Sequence, residues 1–153
     1  MLKFTDVEVV FKEIPDEITL AINISNCPFH CSGCHSPELW EDIGNDLNQE
    51  SLSKLIEKNK GISCISFMGG DLDIDSLNTL FFYVKRNFSY LKVAWYSGRD
   101  HVSKKVNLKY VDFIKIGPYK KELGGLDKKT TNQIMYRVDS ELNLIDITNL
   151  FWK

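Results

Sequence analysis

Short apolar runs recur along this chain, each broken by glycine or polar residues, and that alternation limits the fold more than any single residue. Residues 18–24 (Ile18-Thr19-Leu20-Ala21-Ile22-Asn23-Ile24), 62–68, 91–96 and 111–116 read as strands, because brief apolar stretches bounded by turn residues fit a buried strand. Val7 to Phe11 reads as a further strand, set off by a turn around Pro15-Asp16. Between these runs, Leu52, Leu55 and Ile56 give a helical apolar face that runs out near Lys58 and Lys60, where Gly61 suits a C-cap. Leu77, Leu80, Phe81 and Val84 repeat at helical spacing, with Asp75 placed as an N-cap. Strands alternating with helices predict an α/β fold with right-handed βαβ units and a mostly parallel sheet. Met135 to Val138 and Leu144 to Ile147 predict a hairpin across Asp139, Ser140, Glu141 and Asn143.

Ligands of such sheets sit beyond the carboxyl ends of the strands. The loops at 25–37, 68–73, 96–99 and 117–119 each follow a predicted strand, so they are expected to share one rim. With 153 residues and no internal repeat or low-complexity tract, the chain is expected to be a single domain over 1–153. A formal net charge of -2 leaves no basic field for nucleic acid or an anionic membrane. Lys120, Lys121, Lys128 and Lys129 do cluster, but Glu122 and Asp127 interrupt them, as in a solvated loop. The first residues carry no apolar leader, and no uncharged run is long enough to span a bilayer, which leads to the expectation of a cytoplasmic protein.

In a reducing compartment the cysteine pattern reads as metal binding. Cys27, Cys31 and Cys34 give the spacing C-x3-C-x2-C directly after the strand at 18–24. Thiolates are soft ligands suited to iron–sulfur clusters, zinc and Cu(I). Three at these separations can cap three corners of a cubane and leave the fourth iron open. A structural zinc site wants four ligands, and His30, His35 or Cys64 are available to complete one, so a zinc-stabilised binding module is the alternative. Cys64 lies inside a predicted strand and reads as a small buried hydrophobe. Gly69-Gly70 permits close backbone approach to a ligand, and Asp71 beside them offers a carboxylate to a cation.

The C-x3-C-x2-C loop after a first strand resembles the radical S-adenosylmethionine (SAM) superfamily. In that superfamily the three cysteines hold a 4Fe-4S cluster and the open iron binds the amino and carboxylate groups of SAM. Met68-Gly69-Gly70-Asp71 resembles its Gly-Gly-Glu motif, with Asp in place of Glu. Many members carry an aromatic residue just before the third cysteine; here Gly33 stands there, leaving Phe29 or His35 as the planar side chain for the adenine. Together with Ile22 to Pro28, Cys34-His35-Ser36-Pro37, Ala94 to Arg99 and Thr130 to Gln133, these blocks resemble the activating proteins of anaerobic (class III) ribonucleoside-triphosphate reductases.

That resemblance implies an incomplete βα barrel with a cluster loop at 25–37 and a C-terminal extension from about 119 to 153. It implies an enzyme in which one electron from a flavodoxin or ferredoxin passes through the cluster to SAM. The resulting 5′-deoxyadenosyl radical then takes a hydrogen atom from a backbone glycine of the reductase large subunit. The implied cluster ligands are Cys27, Cys31 and Cys34. The implied SAM contacts are Phe29, His35, Met68, Gly69, Gly70, Asp71, Tyr96, Ser97, Gly98, Lys115 and Gly117. Within the same chemistry the alternative is activation of another glycyl-radical enzyme.

Overall fold

The computed structural model describes residues 1–27 and 40–152. In chain order its elements are β1 (Leu2–Val10), β2 (Thr19–Ile24), β3 (Asn45–Leu47), α1 (Gln49–Lys58), β4 (Cys64–Met68), α2 (Ile74–Asn87), β5 (Lys92–Tyr96), β6 (Phe113–Ile116), β7 (Ile134–Val138) and β8 (Leu144–Asp146). Single 3₁₀ turns occupy Leu108–Tyr110 and Thr148–Phe151. All eight strands join one sheet in the order β3-β1-β2-β4-β5-β6-β7-β8.

This sheet overturns the expected incomplete βα barrel with a mostly parallel sheet. Only β2–β4, β4–β5 and β5–β6 pair in parallel. The pairings β3–β1, β1–β2, β6–β7 and β7–β8 are antiparallel, and the described residues contain two α-helices. The connections explain why. Residues 11–18 between β1 and β2 are too few for a crossover helix, so the chain must reverse. Between β5 and β6 the only regular piece is the turn at Leu108–Tyr110, not a helix. At Asp139 the carboxylate accepts from the amides of Glu141 and Asn143, at 3.0 and 2.7 Å, closing the β7–β8 hairpin that the sequence predicts. Both strands of that hairpin come from the C-terminal segment and extend the same sheet.

Helix ends differ from the sequence reading by a residue or two. The N-cap of α1 is Asn48, whose side chain accepts from the Ser51 amide while the Ser51 hydroxyl accepts from the Asn48 amide. Its C-cap is Asn59 rather than Gly61. The N-cap of α2 is Asp73, not Asp75: its carboxylate accepts from the Ser76 amide at 3.2 Å and the Ser76 hydroxyl at 2.7 Å, and Asp75 sits in the first turn.

The apolar faces of both helices, Leu52 and Ile56 on α1 and Leu77, Phe81 and Val84 on α2, join one cluster with Leu20, Ile22, Ile65, Phe67, Val93, Trp95 and Ile114 of the sheet. Phe67 meets Phe81 edge-on at 5.3 Å between ring centroids, and Phe81 lies 6.4 Å from Trp95. Such pairs add about 0.5–1.5 kcal/mol beyond the area they bury. The opposite face carries a second cluster, in which Cys64, Ala94, Phe113 and Met135 lie under Ile14 and Leu126. Burial on both faces is the reason β4–β6 lack a polar alternation. Among the described residues no helix is long and apolar enough to cross a membrane.

Candidate functional site

Parallel register lines up the ends of four strands. Asn23 pairs with Met68, Met68 with Tyr96, and Tyr96 with Lys115, forming one rung across β2, β4, β5 and β6. Strand alternation puts these four on the face opposite Phe67, Trp95 and Ile114. Beyond that rung the chain continues into Cys27, Gly69-Gly70-Asp71, Ser97-Gly98-Arg99 and Gly117. The sequence-predicted site residues that are described therefore share one rim. Phe29, Cys31, Cys34 and His35 lie outside the described residues, as does His30.

Cys27 is half-buried and follows Asn26, whose φ of 62° turns the chain out of β2. Asparagine tolerates that left-handed conformation better than most residues. The Asn26 amide donates to the Glu41 carbonyl at 2.8 Å and the Ser25 hydroxyl donates to the Ile43 carbonyl at 2.5 Å, tying both ends of the cysteine loop to the described fold. Cys64 stands at the other end of β4, paired with Thr19, and is completely buried. Burial pushes its thiol up to about 12, in keeping with a small buried side chain. Of the three cysteines in the C-x3-C-x2-C spacing, Cys27 is described, and it stands where the parallel strands end. Among the described residues no three His, Cys, Asp or Glu side chains come together as a metal site.

The Gly69-Gly70 loop is held from three sides. Both glycines have positive φ, 112° and 86°, and a Cβ on Gly70 would stand 3.1 Å from Leu77. The Gly69 amide donates to the Tyr96 carbonyl at 3.0 Å, and the Trp95 indole nitrogen donates to the Gly69 carbonyl at 2.7 Å. Trp95 is thus core and loop anchor together. Its role could not be read from sequence, since a buried tryptophan in a strand carries no local sign of its partner.

Asp71 points into the protein. Its carboxylate accepts from the Ser97 hydroxyl and, at 3.4 Å, from the Gly98 amide, and the Arg99 Nε lies 3.7 Å away. The other Arg99 contact runs from the guanidinium to the Asp71 carbonyl at 3.1 Å. Burial raises the carboxyl above the ordinary Asp range, while Ser97, Gly98, Arg99 and Lys115 each pull it back. Arg99 was not among the predicted SAM contacts.

Lys115 is buried and donates to the carbonyls of Ser97 at 3.0 Å and Gly117 at 3.2 Å, with its ammonium 5.3 Å above the Tyr96 ring. The Gly117 carbonyl also accepts from Gln133 Nε2 at 3.3 Å. The Tyr96 hydroxyl donates to the Glu13 carbonyl, and burial raises its phenol. The Met68 sulfur accepts from the Ser66 hydroxyl at 3.1 Å. His101 is exposed beside Asp100, as a surface histidine.

Among the described residues, hollows border these elements. A small polar one of about 190 Å³, lined by Lys3, Ser25, Asn26, Gly70 and Asp73 among others, adjoins the rim next to Cys27. The larger, about 810 Å³, opens between residues 11–18 and the C-terminal segment at Leu126, Leu150 and Phe151, and of the rim residues it touches only Tyr96.

The family described as a 4Fe-4S single cluster domain matches residues 18–138, a span that takes in the whole rim. No curated protein and no solved structure matches the chain.

Proposed function

The chain belongs to the family of 4Fe-4S single cluster domains, and on that premise we propose that this iron–sulfur protein is a radical SAM enzyme that activates anaerobic ribonucleoside-triphosphate reductase. The observation that carries the reading is the rung Asn23–Met68–Tyr96–Lys115. It brings Cys27, the paired glycines and the Ser97-Gly98-Arg99 turn to one edge of the parallel strands.

Cys27, Cys31 and Cys34 hold the cluster as thiolates. When bound, the cluster would supply one-electron reduction of SAM, the chemistry needed to form a glycyl radical on the reductase large subunit by way of a 5′-deoxyadenosyl radical. The chain's own residues bind and orient. Gly69 and Gly70 form the positive-φ turn whose backbone borders the methionyl end of SAM, and a Cβ on either would press on Ile24 or Leu77 behind it. Met68, Tyr96 and Lys115 form the floor beneath it, and Lys115 adds a fixed positive charge that its two carbonyl contacts hold in place. Ser97 and Gly98 border the same ligand from the next loop, with Gly117 behind them. Phe29 or His35 covers the adenine and helps exclude water. Hydrogen-atom abstraction requires no general base, so the mechanism asks for none. A flavodoxin or ferredoxin is the reductant.

Anaerobic reconstitution with iron and sulfide, reduction with dithionite and addition of SAM test this directly, with Cys31→Ala beside the wild type. The expected result is 5′-deoxyadenosine from the wild type and none from the variant, followed by a glycyl radical in the reductase by EPR. A protein that takes zinc, refuses iron and yields no product would overturn the proposal.

A further inference from the structure

The carboxylate of Asp71 stands directly beside Gly69-Gly70, and a ligand ammonium at this rim would be its obvious partner. The geometry denies it that partner. Its side chain is only 2% exposed, and its two oxygens already face protein donors on the next loop. Oδ1 takes the Ser97 hydroxyl and Oδ2 the Gly98 amide. The Arg99 guanidinium sits against the same residue twice, with Nε 3.7 Å from Oδ1 and a terminal nitrogen on the main-chain carbonyl at 3.1 Å. The Ser97 hydroxyl completes the turn by accepting from the Arg99 amide at 3.1 Å.

We infer that Asp71 is a positioning residue, which latches the Ser97-Gly98-Arg99 turn onto the Gly69-Gly70 loop and does not itself contact the ligand. The inference rests on the reading of this rim as a SAM site. Three features make the latch specific. Asp71 reaches across 26 residues of sequence to Ser97, so its side chain joins two loops that are otherwise tied by the Gly69 amide, the Trp95 indole and the Arg99 guanidinium on the Asp71 carbonyl. Hydrogen bonds to an ionised acceptor are roughly twice as strong as neutral ones, so a carboxylate holds a turn that an amide would hold less firmly. A Glu at this position, the residue of the superfamily motif, would add a methylene to a fully enclosed site and displace the turn. The shorter side chain is therefore matched to its internal partners.

The test uses the reconstituted full chain with Asp71→Asn, Ser97→Ala and the double variant. Two ligands are compared: SAM, and its analogue with a hydroxyl in place of the α-amino group. For a latch, Asp71→Asn weakens both ligands by the same factor, roughly 10-fold. Ser97→Ala does likewise, and the double variant is little worse than either single one, because both remove one interaction. Hydrogen exchange without ligand then shows faster exchange at the Gly98 and Arg99 amides only, while the amides of β4–β6 keep wild-type protection. A loss in Asp71→Asn confined to SAM and absent with the hydroxyl analogue would mean that the carboxylate meets the ammonium, and would overturn the inference. Faster exchange throughout β4–β6 would also overturn it, by showing a merely global role. Failure of the wild type to bind SAM would refute the functional reading alone; the exchange pattern would still decide the latch.

Discussion

Replacing Trp95 with Phe separates the anchoring of the glycine loop from the packing of the core. Trp95 is fully buried, next to Phe81, and its indole nitrogen donates to the Gly69 carbonyl at 2.7 Å. Trp95→Phe keeps an aromatic ring but removes the donor and part of the volume. A buried carbonyl that loses its partner costs about 1–3 kcal/mol, and the thinner ring forfeits about 1 kcal/mol of packing. Gly69 is itself only half-buried, which puts the sum toward the lower end, about 2 kcal/mol. With a urea m-value of about 2 kcal/mol per M, the unfolding midpoint should drop by about 1 M with the slope unchanged. Trp152→Phe is the internal control. Its indole donates to the Leu126 carbonyl at 3.0 Å, but the residue is half-buried, and about 1 kcal/mol or less is expected. Equal shifts for the two variants, or no shift for Trp95→Phe, would refute the idea that a buried indole holds the loop.

Two further outcomes follow from the charges. Cys64, with its thiol pushed up to about 12, should resist iodoacetamide at about pH 8.5 in the native protein and react once guanidinium unfolds it; labelling of folded Cys64, read by mass spectrometry, would contradict its burial. Asp73 is held below the ordinary Asp range, first by the Met1 ammonium at 2.6 Å and then by Ser76. A lowered carboxylate stabilises the fold above its unfolded value, about 3.9, and loses that contribution as pH falls through its folded one. Asp73→Ala should therefore cost about 1 kcal/mol near neutral pH, and the two proteins should converge in acid. A gap that stays constant down to acid pH would show that the charge of Asp73 is not what matters.

The local features of this protein were legible in its sequence. Strand runs at 18–24, 62–68 and 91–96 and the helical repeat from Leu77 to Val84 show a periodicity that depends only on neighbouring residues, and each formed as the corresponding element. The glycines at 69 and 70 announced a tight loop because only glycine enters their positive φ without strain. Spacing of the three cysteines suggests soft-metal chemistry, and the matching family is one of 4Fe-4S single cluster domains. The β7–β8 hairpin was legible too, through Asp139 and the turn it closes.

What tertiary structure alone decided is direction and partnership. A strand looks the same in sequence whether its neighbour runs with it or against it, so the antiparallel pairing of β1 with β2 and β3, and of β7 with β6, could not be told from parallel pairing. The three-residue β3 is too short to leave a periodic trace at all. Asp71 in sequence is a carboxylate beside two glycines, open to any cation. In the fold its oxygens meet Ser97 and Gly98, which the register of β4 on β5 brings alongside. Pairing of that kind is set by the free energy of burying whole faces together, a sum over distant residues that no local stretch of the chain contains.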